Sequence, residues 1–284
     1  SPEETQIKPG DEVIEINGEK AIDVLNRNKQ FVSSSTDQWQ IIRTLAEIRA
    51  GEENSVIDLK LKTLSGKDIS VQKKRNIQLS ELYEERPDQV HQYKPNYYYI
   101  DLTRVNDKEF KELSTKLSKA EGIIFDLRGL CLVSEHFLSF FVNNPIQSFE
   151  WRVPVYTKPN QEVKSYQITA ATITPRNPHI NAKLIFLVDK RTIGYAEAIL
   201  RLINKYKLAT IVGSNSAGSA GEIQALKLPA FYYVSFSSIY AVLNNNILYG
   251  EVVKPDVLVE PNIQNYILNE DAVLNKAKEL IEQK

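Results

Sequence analysis

The sequence predicts an α/β fold with a mainly parallel, buried sheet, preceded by a small β-rich module. Continuous apolar runs of strand length recur at residues 97–102, 122–127, 183–189 and 209–213. Amphipathic helical stretches lie between them and continue to a terminal helix at residues 271–282. Strands that are apolar on both faces and alternate with helices are typical of a parallel sheet covered by helices. With 284 residues, 42% of them hydrophobic, the chain is long enough to bury a large core.

The β-rich module occupies residues 1–76, where turn signals are frequent. Pro9-Gly10 indicates a turn, and Asn17-Gly18 is a strong hairpin signal. The periodicity then predicts a strand at 13–16, a helix at 39–49 and strands at 56–61 and 69–71.

A polar stretch separates this module from the larger region. Residues 77–96 contain Pro87 and Pro95 and few apolar side chains, so they are predicted to be a linker. Residues 97–284 then form the α/β domain.

Composition excludes several classes of function. The net charge is −1, from 35 basic and 36 acidic residues, so we expect no general attraction to nucleic acid. No apolar run approaches the ~20 residues of a membrane-spanning helix. The only cysteine is Cys131, so no intrachain disulfide can form. The three histidines and this cysteine lack metal-ligand spacing, and we predict no metal or cofactor.

The segment best suited to chemistry is the strand, turn and helix at residues 183–206. Amide groups at a helix N-terminus can stabilise an oxyanion, and the helix dipole favours negative charge there. Gly194 stands at the start of this helix, where the surrounding residues lead us to expect a serine. Glycine provides the backbone geometry without an attacking oxygen.

Four pieces of sequence, in this order, resemble the carboxyl-terminal processing peptidases, also called tail-specific proteases, and their tricorn-core relatives. They are residues 124–129 (IFDLRG), 187–197 (LVDKRTIGYAE), 211–221 (IVGSNSAGSAG) and 250–256 (GEVVKPD). The resemblance implies a ClpP/crotonase-like core and a serine-type hydrolase that acts on polypeptides.

Residues 8–18 (KPGDEVIEING) resemble a PDZ domain. The match begins inside the PDZ pattern, so we expect this module to be incomplete at its N-terminus. A structural lid and a working peptide binder remain equally open as roles for it.

Carried over residue by residue, the resemblance gives a degenerate catalytic set. The nucleophile position falls on Gly194, the base position on Ser219, and the acid position of the tricorn branch near Tyr249. The oxyanion donors would be the amides of Tyr195 and of the turn after Gly129. That turn continues with bulky apolar residues, 130–133, which would tend to fill a groove.

Other side chains could replace the serine, but each has a more ordinary role. Thr192, like the serines of 214–219, is typical of a turn hydroxyl that bonds to backbone groups. Cys131 lies among apolar neighbours, as an inert core thiol does. His136 fits the start of a surface helix, and His91 and His179 fall in proline-rich connections.

Two charged positions and one aromatic strand complete the list of candidates. Glu197 in the first helical turn complements the helix dipole, which favours a structural role. Asp126 and Arg128 are predicted to form an ion pair or to cap a turn. The aromatic residues at 231–234 predict a strand that could also line a groove for extended peptide.

Three interpretations follow from the resemblance and the missing serine. The first is a serine peptidase by descent that is catalytically silent or impaired, a pseudoenzyme whose partner is a polypeptide substrate or peptide ligand. The second is a non-catalytic peptide-binding or scaffold protein of the cell envelope. The third is a Gly194 introduced deliberately to trap substrate. The resemblance also implies an exported bacterial protein of the periplasm or cell surface, while the oligomeric state is not indicated.

Overall fold

A computed structural model describes residues 7–76, 86–158, 160, 163–219, 221–244, 246–248 and 250–283. The elements in chain order are β1 (Glu12–Ile16), β2 (Glu19–Lys20), α1 (Ala21–Lys29), α2 (Asp37–Arg49), β3 (Val56–Lys62), β4 (Asp68–Lys74), β5 (Val90–Lys94), β6 (Tyr97–Asp101), α3 (Asp107–Leu117), β7 (Gly122–Asp126), a 3₁₀ helix (Glu135–Phe140), β8 (Ile146–Tyr156), β9 (Val163–Ile173), β10 (Lys183–Val188), α4 (Tyr195–Tyr206), β11 (Thr210–Gly213), β12 (Glu222–Lys227), a 3₁₀ turn (Pro229–Phe231), β13 (Tyr233–Leu243), β14 (Asn246–Ile247), β15 (Val257–Leu258), α5 (Ile263–Ile267) and α6 (Ala272–Glu282).

The chain divides into two compact units. The first is Ser1–Arg86 with Glu260–Asn275, and the second is Pro87–Val259 with Lys276–Lys284. Of the helices in the described ranges, none has the length and apolar composition that crossing a membrane requires.

The first unit contains a four-stranded antiparallel sheet in the order β2-β1-β3-β4. Asn17 and Gly18 both have positive φ, +49° and +80°, as the predicted hairpin requires. The predicted helix is confirmed as α2, which begins after Thr36, whose hydroxyl accepts from the Trp39 amide. We did not predict α1, although Ala21, Val24 and Leu25 have helical spacing; the helix has only nine residues, and Val24 is its only buried residue.

The second unit contains the predicted parallel sheet. Its order is β15-β11-β10-β7-β6-β5, and all neighbours are parallel except β5 and β6. The core lies on both faces of this sheet. Phe125 and Phe186 from β7 and β10 have ring centroids 4.9 Å apart, and the buried face of α4 packs into the same cluster.

A second sheet in this unit corrects the expectation that strands alternate with helices to the C-terminus. Strands β12-β13-β8-β9 form an antiparallel sheet, and β14 pairs with β13. The long strands β8 and β9 are buried only where they meet the core, as at Phe149, and are partly or fully exposed further out. They therefore lack the continuous apolar signal of the parallel strands. The aromatic run predicted as a strand at 231–234 begins with the 3₁₀ turn, and β13 starts only at Tyr233.

The stretch predicted as a linker, 77–96, is not a linker throughout. Residues 77–85 lie outside the described residues, but Val90–Lys94 forms strand β5 at the edge of the parallel sheet. The prolines that suggested a linker flank this strand, where they remove no hydrogen bond of the sheet. His91 accordingly lies on a strand and not in a connection.

Parallel strands place their carboxyl ends at one edge of a sheet, and polar turns gather there. Strands β7, β10 and β11 end at Asp126, Val188 and Gly213. Gly213 has φ +136°, and a Cβ atom there would lie 1.9 Å from the Val188 carbonyl oxygen. Only glycine fits this close approach, which brings the loop after β11 beside the turn after β10.

Candidate active-site cleft

A cleft of about 660 Å³ opens at this edge of the sheet. Its lining comes from the turn after β7, the start of α3, strand β8, the start of α4 and the loop after β11. The lining residues are Asp107, Leu130, Cys131, Leu132, Val133, Ser134, Trp151, Ile193, Gly194, Tyr195, Ser219 and Gly221.

Gly194 sits directly before α4 with φ +62° and ψ −123°. A residue other than glycine would adopt this backbone conformation at a cost of roughly 1–3 kcal/mol. The space itself is open, because a Cβ atom would lie 3.7 Å from both the Gly221 carbonyl oxygen and a methyl group of Leu130. The Gly194 amide donates to the Ser219 carbonyl at 3.0 Å, which fixes the two segments side by side.

Glu197 holds the loop after β11 against α4. Its side chain is fully buried and accepts hydrogen bonds from the Ser216 hydroxyl, the Gly218 amide at 2.7 Å and the Ser219 amide at 2.7 Å. Burial raises the pKa of Glu197, and these hydrogen bonds oppose that rise. The predicted structural role of Glu197 is confirmed. In addition to complementing the helix dipole, its carboxylate binds two amides and one hydroxyl of the loop after β11.

Asp126 and Arg128 form the predicted ion pair at the end of β7. Both are buried, and the closest guanidinium and carboxylate atoms are 2.6 Å apart. Asp126 also accepts from the Tyr99 hydroxyl at 2.9 Å, and desolvation raises the pKa of that tyrosine. This cluster stabilises the end of β7.

Thr192 and Cys131 are engaged as the sequence predicted. The Thr192 hydroxyl is fully buried, donates to the Leu127 carbonyl at 2.8 Å and accepts from the Asp189 amide at 3.1 Å. The Cys131 thiol donates to the Val133 carbonyl at 3.2 Å. Burial raises the pKa of Cys131 to about 12, so the thiol is neutral at physiological pH. The Thr192 hydroxyl is therefore engaged by backbone groups, and the Cys131 thiol is protonated although it lines the cleft.

The cleft lining, within the described residues, includes neither a histidine nor a lysine. His91, His136 and His179 are all exposed, and His136 lies at the start of a 3₁₀ helix as predicted. In the part of the chain that the structure describes, no group of three or more histidine, cysteine, aspartate or glutamate side chains is arranged to hold a metal ion.

The structure brings together three of the site residues taken from the family resemblance, Gly194, Tyr195 and Ser219. The Tyr195 amide belongs to the first turn of α4, where amides have no partner within the helix. Ser219 is half-buried, and both its amide and its carbonyl are bonded within the site. Tyr249 lies outside the described residues.

Gly129 does not contribute its own amide to the cleft. That amide donates to the Leu127 carbonyl at 2.8 Å, so the part of the turn that faces the cleft begins at Leu130. All four residues of 130–133 line the cleft; Leu130 and Leu132 are 55% and 52% exposed, whereas Cys131 and Val133 are buried in its wall. The leucine side chains of this turn therefore narrow the cleft, which still has a volume of about 660 Å³.

Two side-chain contacts in the cleft were not predicted from the sequence. The Tyr195 ring stacks on Trp151, with centroids 6.0 Å apart and planes 10° apart, and its hydroxyl accepts from the Glu135 amide. Asp107 accepts from the amide and the hydroxyl of Ser134. Both pairs join residues distant in sequence, and the sequence contains no signal for them.

Comparisons with known proteins identify the family and the fold. The sequence model of peptidase family S41 matches residues 96–259. The crystal structure of mature CPAF is similar, with a TM-score of 0.69 and 13% identity over 98% of this chain and 77% of that one. A crystal structure of a CPAF mutant gives a TM-score of 0.73 at 13% identity, over 98% and 78% of the two chains. The photosystem II D1 C-terminal processing protease gives 0.49 and 13%, over 96% and 69%. No curated protein sequence matches the chain.

Proposed function

The chain belongs to peptidase family S41, a family of serine peptidases, and from that premise we propose that it binds extended polypeptides in the cleft without cleaving them by a serine mechanism. Gly194 takes the nucleophile position in this proposal and Ser219 the base position.

The observation that carries the proposal is the backbone at Gly194. Gly194 has a positive φ and stands at a helix N-terminus, where a nucleophile could be held, while the side chain that would attack is absent. Ser219 offers a hydroxyl where an amine or imidazole would be needed to accept a proton. Without nucleophile and base, only the residual contribution of oxyanion donors and substrate binding would remain.

What remains suits binding. The Tyr195 amide at the start of α4 can donate to a peptide carbonyl or to a terminal carboxylate. Leu130, Leu132 and Trp151 supply apolar surface on the walls of the cleft. Burying a leucine fully contributes about 1.5–3 kcal/mol, so covering these two half-exposed leucines contributes about 2 kcal/mol in total.

Fluorescence titration tests this proposal. Trp151 lies in the cleft, and a Trp39→Phe background removes the only other tryptophan. The probe is an unstructured peptide of about ten residues with apolar side chains at alternate positions, since an extended chain turns such residues to one face. One version has a free carboxyl terminus and one is amidated, which separates recognition of a C-terminus from recognition of an internal segment.

We expect saturable binding and an intact peptide. The double variant Leu130→Gln, Leu132→Gln should weaken binding by about ten- to thirty-fold, the equivalent of the apolar contribution above. Leu258→Gln changes a leucine that is 67% exposed and outside the cleft, and should have no effect. Absence of saturable binding at high micromolar peptide would refute the proposal.

Three finer statements are also proposals. The first unit is PDZ-like, which its antiparallel sheet and helix α2 support. The second unit is ClpP/crotonase-like, which its parallel sheet supports. The protein acts in the periplasm or at the cell surface of a bacterium as a peptide-binding scaffold. Fractionation of cells that express the natural gene tests the location, and recovery in the cytoplasm alone would exclude it.

A further inference from the structure

Asp107 is the only charged side chain among the described residues that line the cleft. It is exposed, at the first position of α3. The remaining walls are apolar, aromatic or neutral, including the Cys131 thiol, which burial keeps protonated. The cleft therefore presents one negative charge beside an apolar surface.

The Asp107 carboxylate is held in one orientation. Its Oδ1 atom accepts from the Ser134 amide at 2.9 Å and from the Ser134 hydroxyl at 3.0 Å. A negative charge in the first turn of a helix is stabilised by the helix dipole. No described residue places a cationic group within ion-pair distance of this carboxylate, and its Oδ2 atom accepts no hydrogen bond from the described residues.

Two leucines of the same cleft lining offer apolar surface on which the stem of a long basic side chain could lie. Lysine and arginine bury their aliphatic stems along apolar surface while the charged head reaches a polar partner. Leu130 and Leu132, each about half exposed, offer that surface on the turn that also leads to Ser134.

From this arrangement we propose that the cleft prefers peptides carrying a lysine or arginine beside their apolar residues, and that Asp107 is the residue that determines this preference. The inference rests on the proposed function, because it names the class of peptide that the same cleft binds.

Three peptides that differ at one position test the preference. They have the apolar pattern used above and carry lysine, glutamine or glutamate at an otherwise identical site, scanned along the peptide. The matched variant is Asp107→Asn, which keeps an Oδ1 acceptor for Ser134 and removes only the charge. The control is Asp88→Asn, which removes an exposed negative charge of the same unit outside the cleft.

At low salt we expect the wild-type protein to bind the lysine peptide most tightly and the glutamate peptide least. Asp107→Asn should weaken binding of the lysine peptide by about two- to five-fold, the range of an exposed ion pair, and leave the glutamine peptide unchanged. Salt at 0.5 M should remove the difference in affinity between the lysine and glutamine peptides. Asp88→Asn should bind the three peptides in the same order of affinity as the wild type.

The outcomes separate the two proposals. If all three peptides bind equally well, or if Asp107→Asn weakens the lysine and glutamine peptides alike, the basic preference is wrong while peptide binding stands. If the preference survives in Asp107→Asn, another group determines it and the assignment of Asp107 is wrong. If no peptide saturates the cleft, the proposed function fails and this inference fails with it.

Discussion

Replacing Gly194 by alanine and by serine separates backbone strain from chemistry. The positive φ of +62° would be imposed on both new side chains, whereas the Cβ atom meets nothing closer than 3.7 Å. The cost should therefore come from the backbone alone, about 1–3 kcal/mol of unfolding free energy, and should be similar for the two variants. With an m-value of about 2 kcal/mol/M, the urea midpoint of the second unit should fall by about 0.5–1.5 M.

Unfolding is followed by Trp151 fluorescence in the Trp39→Phe background, so that the signal reports the second unit. Peptidase activity of each variant is measured on the peptides that bind the wild-type protein. We expect no gain of activity in Gly194→Ser, because the only group at the base position is the Ser219 hydroxyl. A serine variant as stable as the wild type would show that position 194 tolerates a side chain. A serine variant that hydrolyses peptide, while the alanine variant does not, would show that the cleft still supplies a working base.

Three further predictions concern the groups around the cleft. Because burial raises the pKa of Glu197, the folded protein binds the proton of this carboxyl group more tightly than the unfolded chain does. The unfolding free energy should therefore fall as pH rises from the ordinary glutamate range through the raised pKa. Urea unfolding at a series of pH values should show a smaller fall in Glu197→Gln than in the wild type. With its pKa raised to about 12, the Cys131 thiol should react with a thiol reagent at pH 8 about a thousand-fold more slowly than in the urea-unfolded chain, and equal rates would contradict its burial. Arg128→Ala removes the buried ion-pair partner of Asp126 and should lower the unfolding free energy by about 3–5 kcal/mol. Lys276→Ala removes an exposed ion pair and should lower it by less than about 1 kcal/mol. Similar losses in the two variants would contradict the burial of the Asp126–Arg128 pair.

The parallel core could be predicted because its strands are apolar on both faces. Strands β7 and β10 each carry an unbroken apolar run, and α4 follows β10 with a clear amphipathic pattern. Periodicity is strongest where burial is complete. The antiparallel strands β8 and β13 are only partly buried and mix polar with apolar side chains, so their pairing depends on partners that periodicity does not identify.

The secondary structure around the candidate site could be predicted from the sequence, but its long-range side-chain contacts could not. The strand, turn and helix around Gly194 follow from local sequence, and the ion pair of Asp126 and Arg128 joins close neighbours. The contact of Glu197 with the loop at 216–219 and the contact of Asp107 with Ser134 join residues 19 to 27 positions apart. Such pairs arise only when the carboxyl ends of parallel strands meet.

This cleft is proposed to hold a polypeptide and to leave it intact. The most direct measurement is mass spectrometry of a peptide incubated at saturating concentration with the wild-type protein over many hours. We expect recovery of the full-length peptide alone. Cleavage at a defined bond that disappears in the Leu130→Gln, Leu132→Gln double variant would contradict it, because the hydrolysis would then take place in this cleft without the serine that Gly194 replaces.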